Sequence, residues 1–161
     1  MNYYFIHDTP IGELILEANL NYLKKISFKD QTIKKVKTSS INKKNLILEK
    51  TVEQLDEYFF YNRKLFTINY LLKTTPFFKK VLKEVTLIKF GKVKSYKQIA
   101  ILLKNKYAYR AVANANARNP LPIIIPCHRV IRSSGKIGGY RGGIMNKKYL
   151  LSLENQTGNF Y

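Results

Sequence analysis

The sequence has one cysteine, Cys127, and two histidines, His7 and His128, in 161 residues. A single cysteine closes no disulfide within the chain, and two histidines cannot complete a cysteine-rich zinc site around it. A lone free thiol suits a reducing cytoplasm. No run approaches the roughly 18 consecutive apolar residues of a membrane span. Met1 to Asp8 lacks a positive start followed by an apolar stretch, so no signal peptide is expected there. Acidic residues are scarce, ten against 29 Lys and Arg. Apolar residues are not: the hydrophobic fraction is 45%, with 13% aromatic, enough to bury a core and exclude disorder. The length suits one ordinary domain or two small ones.

The charge is unevenly placed. Lys73 to Tyr161 carries 18 Lys or Arg against two acids, Glu84 and Glu154, a net of +16. The first 72 residues hold 11 basic and 8 acidic residues, a net of +3. A lysine-rich bias would spread evenly. Charge gathered around the cysteine points to a polyanion, nucleic acid before membrane; the plainer alternative is a solvated lysine surface.

Alternation predicts strands at "NYYFIHD" (2–8), "GELILEA" (12–18) and "LKKISFKD" (23–30), with turn residues between them. A lysine- and serine-rich stretch, 34–44, reads as loop. Leu48, Val52, Leu55 and Phe59 fall at helical spacing within 45–61, and "LFTINY" (65–70) returns to strand. This gives a small α+β unit with an antiparallel sheet over 1–72, in which His7 is structural. "LKTTPFF" marks the boundary to a second unit, 73–161. There Thr75 caps a helix, Pro76 suits its first turn, and Gly91 ends it. "SYKQIA" carries a capping box, Ser95 with Gln98. A third helix is expected from about Tyr107 to Arg118, so the pair has the shape of a helix-turn-helix. Its alanines, 111, 113, 115 and 117, alternate with Val112, Asn114, Asn116 and Arg118. Such small residues permit close helix packing or, equally, close approach to a nucleic-acid groove, with Arg110 reaching between bases.

"NPLPIIIP" (119–126) cannot be helical, and Ile123 to Ile125 read as a buried strand that ends at Cys127. "SSGKIGGYRGG" (133–143) is a glycine-rich loop without the lysine-serine ending of a phosphate-binding loop. "NKKYLLSLENQ" (146–156) is a last helix with Leu150, Leu151 and Leu153 inward. A thiol becomes nucleophilic when a base or positive charge deprotonates it. Neighbours on a strand face opposite ways, so Cys127 and His128 are not expected to bond directly; a water bridge is. A histidine base needs a partner on its other nitrogen, and of the two acids in this half, Glu154 is the better placed. The alternative is an inert buried thiol beside a chance histidine.

Taken together, "IPCHRVI", the upstream "RAV…NP", the downstream "GGYRGG" and the closing "YLLSLE" resemble the O6-alkylguanine-DNA alkyltransferases over about 73–155. The N-terminal part is similar to that family's ribonuclease-H-like domain only in its strand-helix-strand pattern. The resemblance implies an α+β protein, with a small support domain at 1–72 and a mostly helical winged helix-turn-helix domain at 73–161 that binds DNA and accepts the alkyl group. It implies single-turnover, irreversible transfer of an alkyl group from the O6 atom of guanine in double-stranded DNA to Cys127. His128 would be the water-mediated base, Glu154 would orient it, and Asn119 would order the turn before the cysteine. Tyr96 would press on the target phosphate and donate a proton toward the guanine ring. Ser95, Arg110, Ala111, Ala113, Asn114 and Ala117 would meet DNA, with Arg110 filling the space of the flipped base. Val130, Tyr140 and Arg141, with backbone around Cys127, would line the base pocket. No cofactor, metal, membrane or obligate protein partner is implied. The chain departs from the family pattern at Asn114, usually glycine or alanine, and at Leu82 and Phe90, often tryptophan and tyrosine. Two other readings are a damage-binding or regulatory protein with an inert Cys127, and a thiol hydrolase. The hydrolase leaves the basic half unexplained.

Overall fold

A computed structural model describes residues 1–29 and 40–155. The chain divides into two compact units, Met1–Leu72 and Lys73–Tyr161. Among the described residues no helix is long and apolar enough to cross a membrane.

In the first unit, β1 (Tyr3–His7), β2 (Leu14–Ala18) and β3 (Leu23–Phe28) form a meander. The Thr9 and Gly12 backbones close the first turn, where Gly12 takes φ +96°, a conformation open to glycine. Asn19 closes the second by accepting the Asn21 and Tyr22 amides through its side chain, at 3.0 and 2.8 Å. The expectation of a purely antiparallel sheet is corrected. A short strand, β4 (Ile41–Asn42), pairs parallel with β1, and the sheet is mixed in the order β3-β2-β1-β4. The loop expected over 34–44 falls partly outside the described residues, as do Asp30 and Gln156.

The helix α1 (Leu46–Phe60) is capped by Asn45, whose side chain accepts from the Leu48 amide at 3.0 Å. Leu48, Leu55, Tyr58 and Phe59 are buried. Gln54 is buried too, and explains the second correction: 65–70 is not a strand. The Gln54 carboxamide accepts from Thr67 N at 2.8 Å and donates to Thr67 Oγ1 at 2.9 Å. A side chain thus replaces a ladder, and only an isolated bridge forms, between Tyr70 and Leu23. His7 is structural, its Nε2 2.8 Å from Asp56 Oδ1.

In the second unit, α2 (Pro76–Thr86) starts at Thr75, whose hydroxyl accepts from Phe78 N at 3.4 Å. Val81, Leu82, Val85 and Ile88 are buried. The helix ends at Thr86, well before Gly91, which instead makes a later turn at φ +70°. The strand β5 (Lys94–Ser95) leads into α3 (Tyr96–Leu102), where both halves of the Ser95–Gln98 capping box form. After a turn with Lys104 at φ +58°, α4 runs Tyr109–Ala117. The strand β6 (Val130–Ile131) pairs parallel with β5, and α5 (Ile144–Glu154) closes the unit. Leu150 and Leu151 are buried there, and Leu153 is half-buried.

The run Ile123–Ile125 is not a strand either. It is a tight buried turn in which Ile125 N donates to Leu121 O at 2.8 Å and Ile123 takes φ +75°. Pro120, Pro122 and Pro126 leave too few donors for a ladder. The Asn119 side chain substitutes, accepting from Leu121 N at 3.0 Å and donating to Ile125 O at 2.8 Å. A β-branched residue at positive φ is strained, so other contacts must over-determine this turn. Cys127 consequently sits in a one-turn 3₁₀ helix, Cys127–Arg129, and not at a strand end.

Gln54→Leu is expected to lower the stability of the first unit by about 1–3 kcal/mol, because Thr67 loses its buried partners. Hydrogen exchange checks this: the Thr67 amide should lose protection, and retained protection would contradict the role given to Gln54.

Candidate active site

Cys127 is 3% exposed. Burial raises its pKa above the ordinary thiol value, while the Asn119 side chain, the Lys147 charge and local backbone amides act in the opposite direction. At rest it is therefore a thiol, and a reaction at sulfur needs a proton acceptor. His128 is fully buried, and burial lowers its pKa below 6.5 although Glu154 pulls the other way.

The geometry then fixes the tautomer. His128 Nε2 lies 2.7 Å from Glu154 Oε1. Burial alone would raise the Glu154 pKa, but His128 and Arg129 outweigh it and hold the carboxyl at about 2. The partner is thus a carboxylate, and a neutral His128 must place its proton on Nε2 and donate it. Nδ1 is left with a lone pair, and among the described residues no protein atom bonds it. A buried acceptor beside a buried thiol can take up a proton. The two side chains make no direct hydrogen bond.

Glu154 gathers more than His128. Arg129 donates to both its oxygens, from Nε at 2.8 Å and Nη2 at 2.9 Å. Gly91 N donates at 3.2 Å. Arg129 also donates to Ile88 O at 2.6 Å and sits 5.8 Å over the Phe90 ring. The α5 terminus, the cysteine turn and the segment after α2 therefore meet at one carboxylate.

A cavity of about 550 Å³ is lined by Tyr96, Asn116, Ala117, Gly138, Tyr140 and Arg141, among others. The Tyr96 pKa is raised, chiefly by burial and then by Cys127. Tyr140 lies edge-on to the His128 ring at 6.5 Å. Val130 is buried and faces the site through its carbonyl, which accepts from Lys147 Nζ at 2.6 Å. A larger cleft of about 680 Å³, with Lys97, Lys106, Tyr107 and Tyr109, shares Tyr96 and Arg132 with this cavity. Asn116, in the lining of the smaller cavity, donates to the Cys127 carbonyl at 3.1 Å.

Of the other expected residues, Ala113 and Ala117 also line the smaller cavity. Arg110, Ala111, Asn114 and Ala117 lie on the exposed face of α4, with Ala113 half-buried. Ala115 and Asn116 are buried, so the alternating alanines are split between surface and core. The Ser95 hydroxyl is engaged in capping α3.

Sequence reasoning passes over Arg129, Lys147, Asn116 and Gly91. Lys147 is within its reach: 147, 150, 151 and 154 share one helical face, and Lys147 is as buried as Leu150. Burial lowers its pKa to about 8, with Cys127 pulling upward. Gly91 and Arg129 act on Glu154 from distant segments, and no local pattern marks that.

Comparison with known proteins adds an independent line. The family model for the 6-O-methylguanine DNA methyltransferase DNA binding domain matches residues 76–156, and that for the ribonuclease-like domain of the same family matches residues 2–72. A methylated-DNA--protein-cysteine methyltransferase of Methanosarcina barkeri is 40% identical over 156 residues, covering 96% of this chain and 98% of that protein. The crystal structure of Mycobacterium tuberculosis O6-methylguanine methyltransferase superposes with a TM-score of 0.89 at 37% identity, covering 97% of this chain and 94% of that one. The Mycobacterium tuberculosis protein in complex with DNA gives a TM-score of 0.87 at 36% identity, covering 96% and 93%.

Acid stability follows from the carboxylate. Glu154 sits at about 2 against an ordinary 4.5, so its contribution is complete above pH 4.5 and is lost as pH falls toward 2. It is on the order of 3 kcal/mol. His128, held below 6.5, acts in the same direction, because the unfolded state takes up its proton first. Urea unfolding between pH 7 and pH 3 should show this loss. Glu154→Gln should cost about 3–5 kcal/mol at pH 7 and flatten the acid limb. An unchanged acid limb would show that another group titrates.

Proposed function

The chain belongs to the 6-O-methylguanine DNA methyltransferase family, and on that premise we propose that Cys127 accepts the alkyl group of O6-alkylguanine in double-stranded DNA, irreversibly and once per molecule. The observation that carries the reading is the buried, neutral His128, fixed by Glu154 with its free lone pair on Nδ1, next in sequence to a buried thiol.

A bridging water relays the Cys127 proton to His128 Nδ1, and Glu154 stabilises the imidazolium as it forms. The thiolate attacks the alkyl carbon. The bond from that carbon to O6 breaks, its electron pair stays with the base, and the base takes up one proton to become guanine. Tyr96, whose pKa is raised and whose hydroxyl therefore stays protonated, supplies a proton to the ring as the pair arrives, and the proton taken up by His128 returns to it through water. The product is a thioether, and no neighbouring group can expel it, which limits each molecule to one reaction. Asn119 orders the turn that carries the thiol. Val130, Tyr140 and Arg141 line the base pocket.

Reaching O6 requires flipping the base out of the duplex, which costs a few kcal/mol and least for a poorly paired lesion. The exposed α4 face suits that step, because Ala111, Ala113, Asn114 and Ala117 let the helix approach a groove, and Arg110 fills the gap. Ser95 and Tyr96 sit where α3 begins and meet the backbone. The net charge of +16 in 73–161 supplies the attraction to phosphates. Residues 73–161 form the DNA-binding and alkyl-acceptor domain, and 1–72 support it. A reducing cytoplasm keeps the thiol free.

Intact mass after mixing with duplex DNA bearing one O6-methylguanine tests the reading. The mass should rise by one methylene on the Cys127 peptide and saturate at one per protein, and Cys127→Ala should show no gain. Retained DNA binding with unchanged mass would make the protein a damage sensor. A second outcome concerns Gly138, where an added Cβ would lie 2.6 Å from the Tyr96 hydroxyl. Gly138→Ala should slow transfer about tenfold or more by displacing that ring, with little change in Tm. An unchanged rate would remove Tyr96 from the chemistry.

A further inference from the structure

The turn between α3 and α4 presents two tyrosines to solvent. In "KNKYAYR" (104–110), Lys104 takes φ +58° just past α3, Asn105 N donates to Ala100 O at 3.0 Å, and Ala108 N donates to Asn105 O at 3.0 Å. These backbone bonds shape the turn. Tyr107 is 77% exposed, and Tyr109, the first residue of α4, is 43% exposed. An aromatic ring left in water forgoes a large hydrophobic gain, and here two stand close together. Both line the cleft of about 680 Å³, with Lys97, Lys106 and Arg132, and no acidic residue among the described residues lines it. Lys106 Nζ lies 5.0 Å from the centre of the Tyr107 ring, so a flat apolar face and a positive charge sit side by side. Lys106 and Tyr107 also line a hollow of about 550 Å³ with Ile101 and Lys104. The Tyr107 ring thus stands between two hollows and not against the core.

Aromatic faces interleaved with cations suit single-stranded nucleic acid, because rings stack on bases while the charges follow the phosphates. A groove for phosphates alone needs only the charges. The cleft adjoins the smaller cavity at Tyr96 and Arg132, which line both. A strand with one base in the smaller cavity therefore passes these two residues into the cleft. In a duplex the neighbouring base stays paired. In a single strand or a gap it is free to enter. We propose that the cleft is a second nucleotide site, separate from the cavity near Cys127: an unpaired base of the same strand stacks on the tyrosines of the turn, and Lys97, Lys106 and Arg132 hold its flanking phosphates. Such a site goes beyond alkyl transfer to Cys127 and does not depend on it.

The test is equilibrium binding of the full chain to two single strands of equal length, an oligothymidylate and an abasic backbone with the same number of phosphates. The wild-type protein should bind the thymidylate about tenfold more tightly or better. Tyr107→Ala combined with Tyr109→Ala should lose about tenfold or more on the thymidylate and less than about twofold on the abasic strand. In that variant the slope of log affinity against log salt should not change, whereas Lys106→Ala should flatten it by about 0.7, the share of one phosphate contact. Tyr107→Phe combined with Tyr109→Phe should bind as the wild type does, because the stacking faces remain. Equal losses on both strands in the alanine variant, or none on either, would reduce the cleft to a phosphate groove and overturn the proposal. Alkyl transfer is measured separately on duplex bearing O6-methylguanine. Its absence from the wild-type protein, with base-dependent binding retained, would sink the alkyl-acceptor reading and leave the second site standing.

Discussion

The second unit is organised around the Glu154 carboxylate. It accepts from His128, from two nitrogens of Arg129 and from the Gly91 amide, and so joins the end of α5 to two other stretches of chain. Removing a charge from water is costly, and only full pairing repays it. Here the pairing is complete on both oxygens, including a two-pronged guanidinium contact of the strong, directional kind. Because the carboxylate stays ionised, it can hold one particular tautomer of His128. The chemistry of the site therefore depends on an ion pair buried in the same way as the apolar core.

The surroundings of Cys127 balance opposed requirements. Burial keeps the sulfur protonated and shielded from adventitious oxidants, at the expense of reactivity. The Asn119 side chain and the charge of buried Lys147 act against that burial without opening the site. The turn before the cysteine carries its own strain at Ile123, held by Asn119 and by three prolines. A stiff turn fixes where the sulfur points. A regular strand would have placed Cys127 and His128 on opposite faces, and the 3₁₀ turn avoids that alternation.

Legibility differs from element to element for physical reasons. Caps are readable because they are local: Thr75 and Ser95 bond amides three residues away, and composition at that spacing announces them. The segments 65–70 and 123–125 read as strands because their β-branched and aromatic residues satisfy a strand pattern. Their backbones are instead satisfied by the side chains of Gln54 and Asn119. Gly91 reads as a helix stop, a role glycine fills at many positions, while its actual partner is 63 residues away.

By itself the sequence determined the lone thiol and its histidine neighbour, the two units, the asymmetry of charge, and the start of α2 and α3. All of these depend on residue identity or on spacings of a few residues, where bond geometry leaves few choices. Only the tertiary structure decided that Arg129 and Gly91 share a carboxylate with His128, that Lys147 and Asn116 hold the carbonyls of Val130 and Cys127, and that one acceptor of Asn116 stays open. These contacts join segments far apart in the chain. They depend on how helices and turns pack in three dimensions, and a pattern of neighbours along a single sequence carries no record of that.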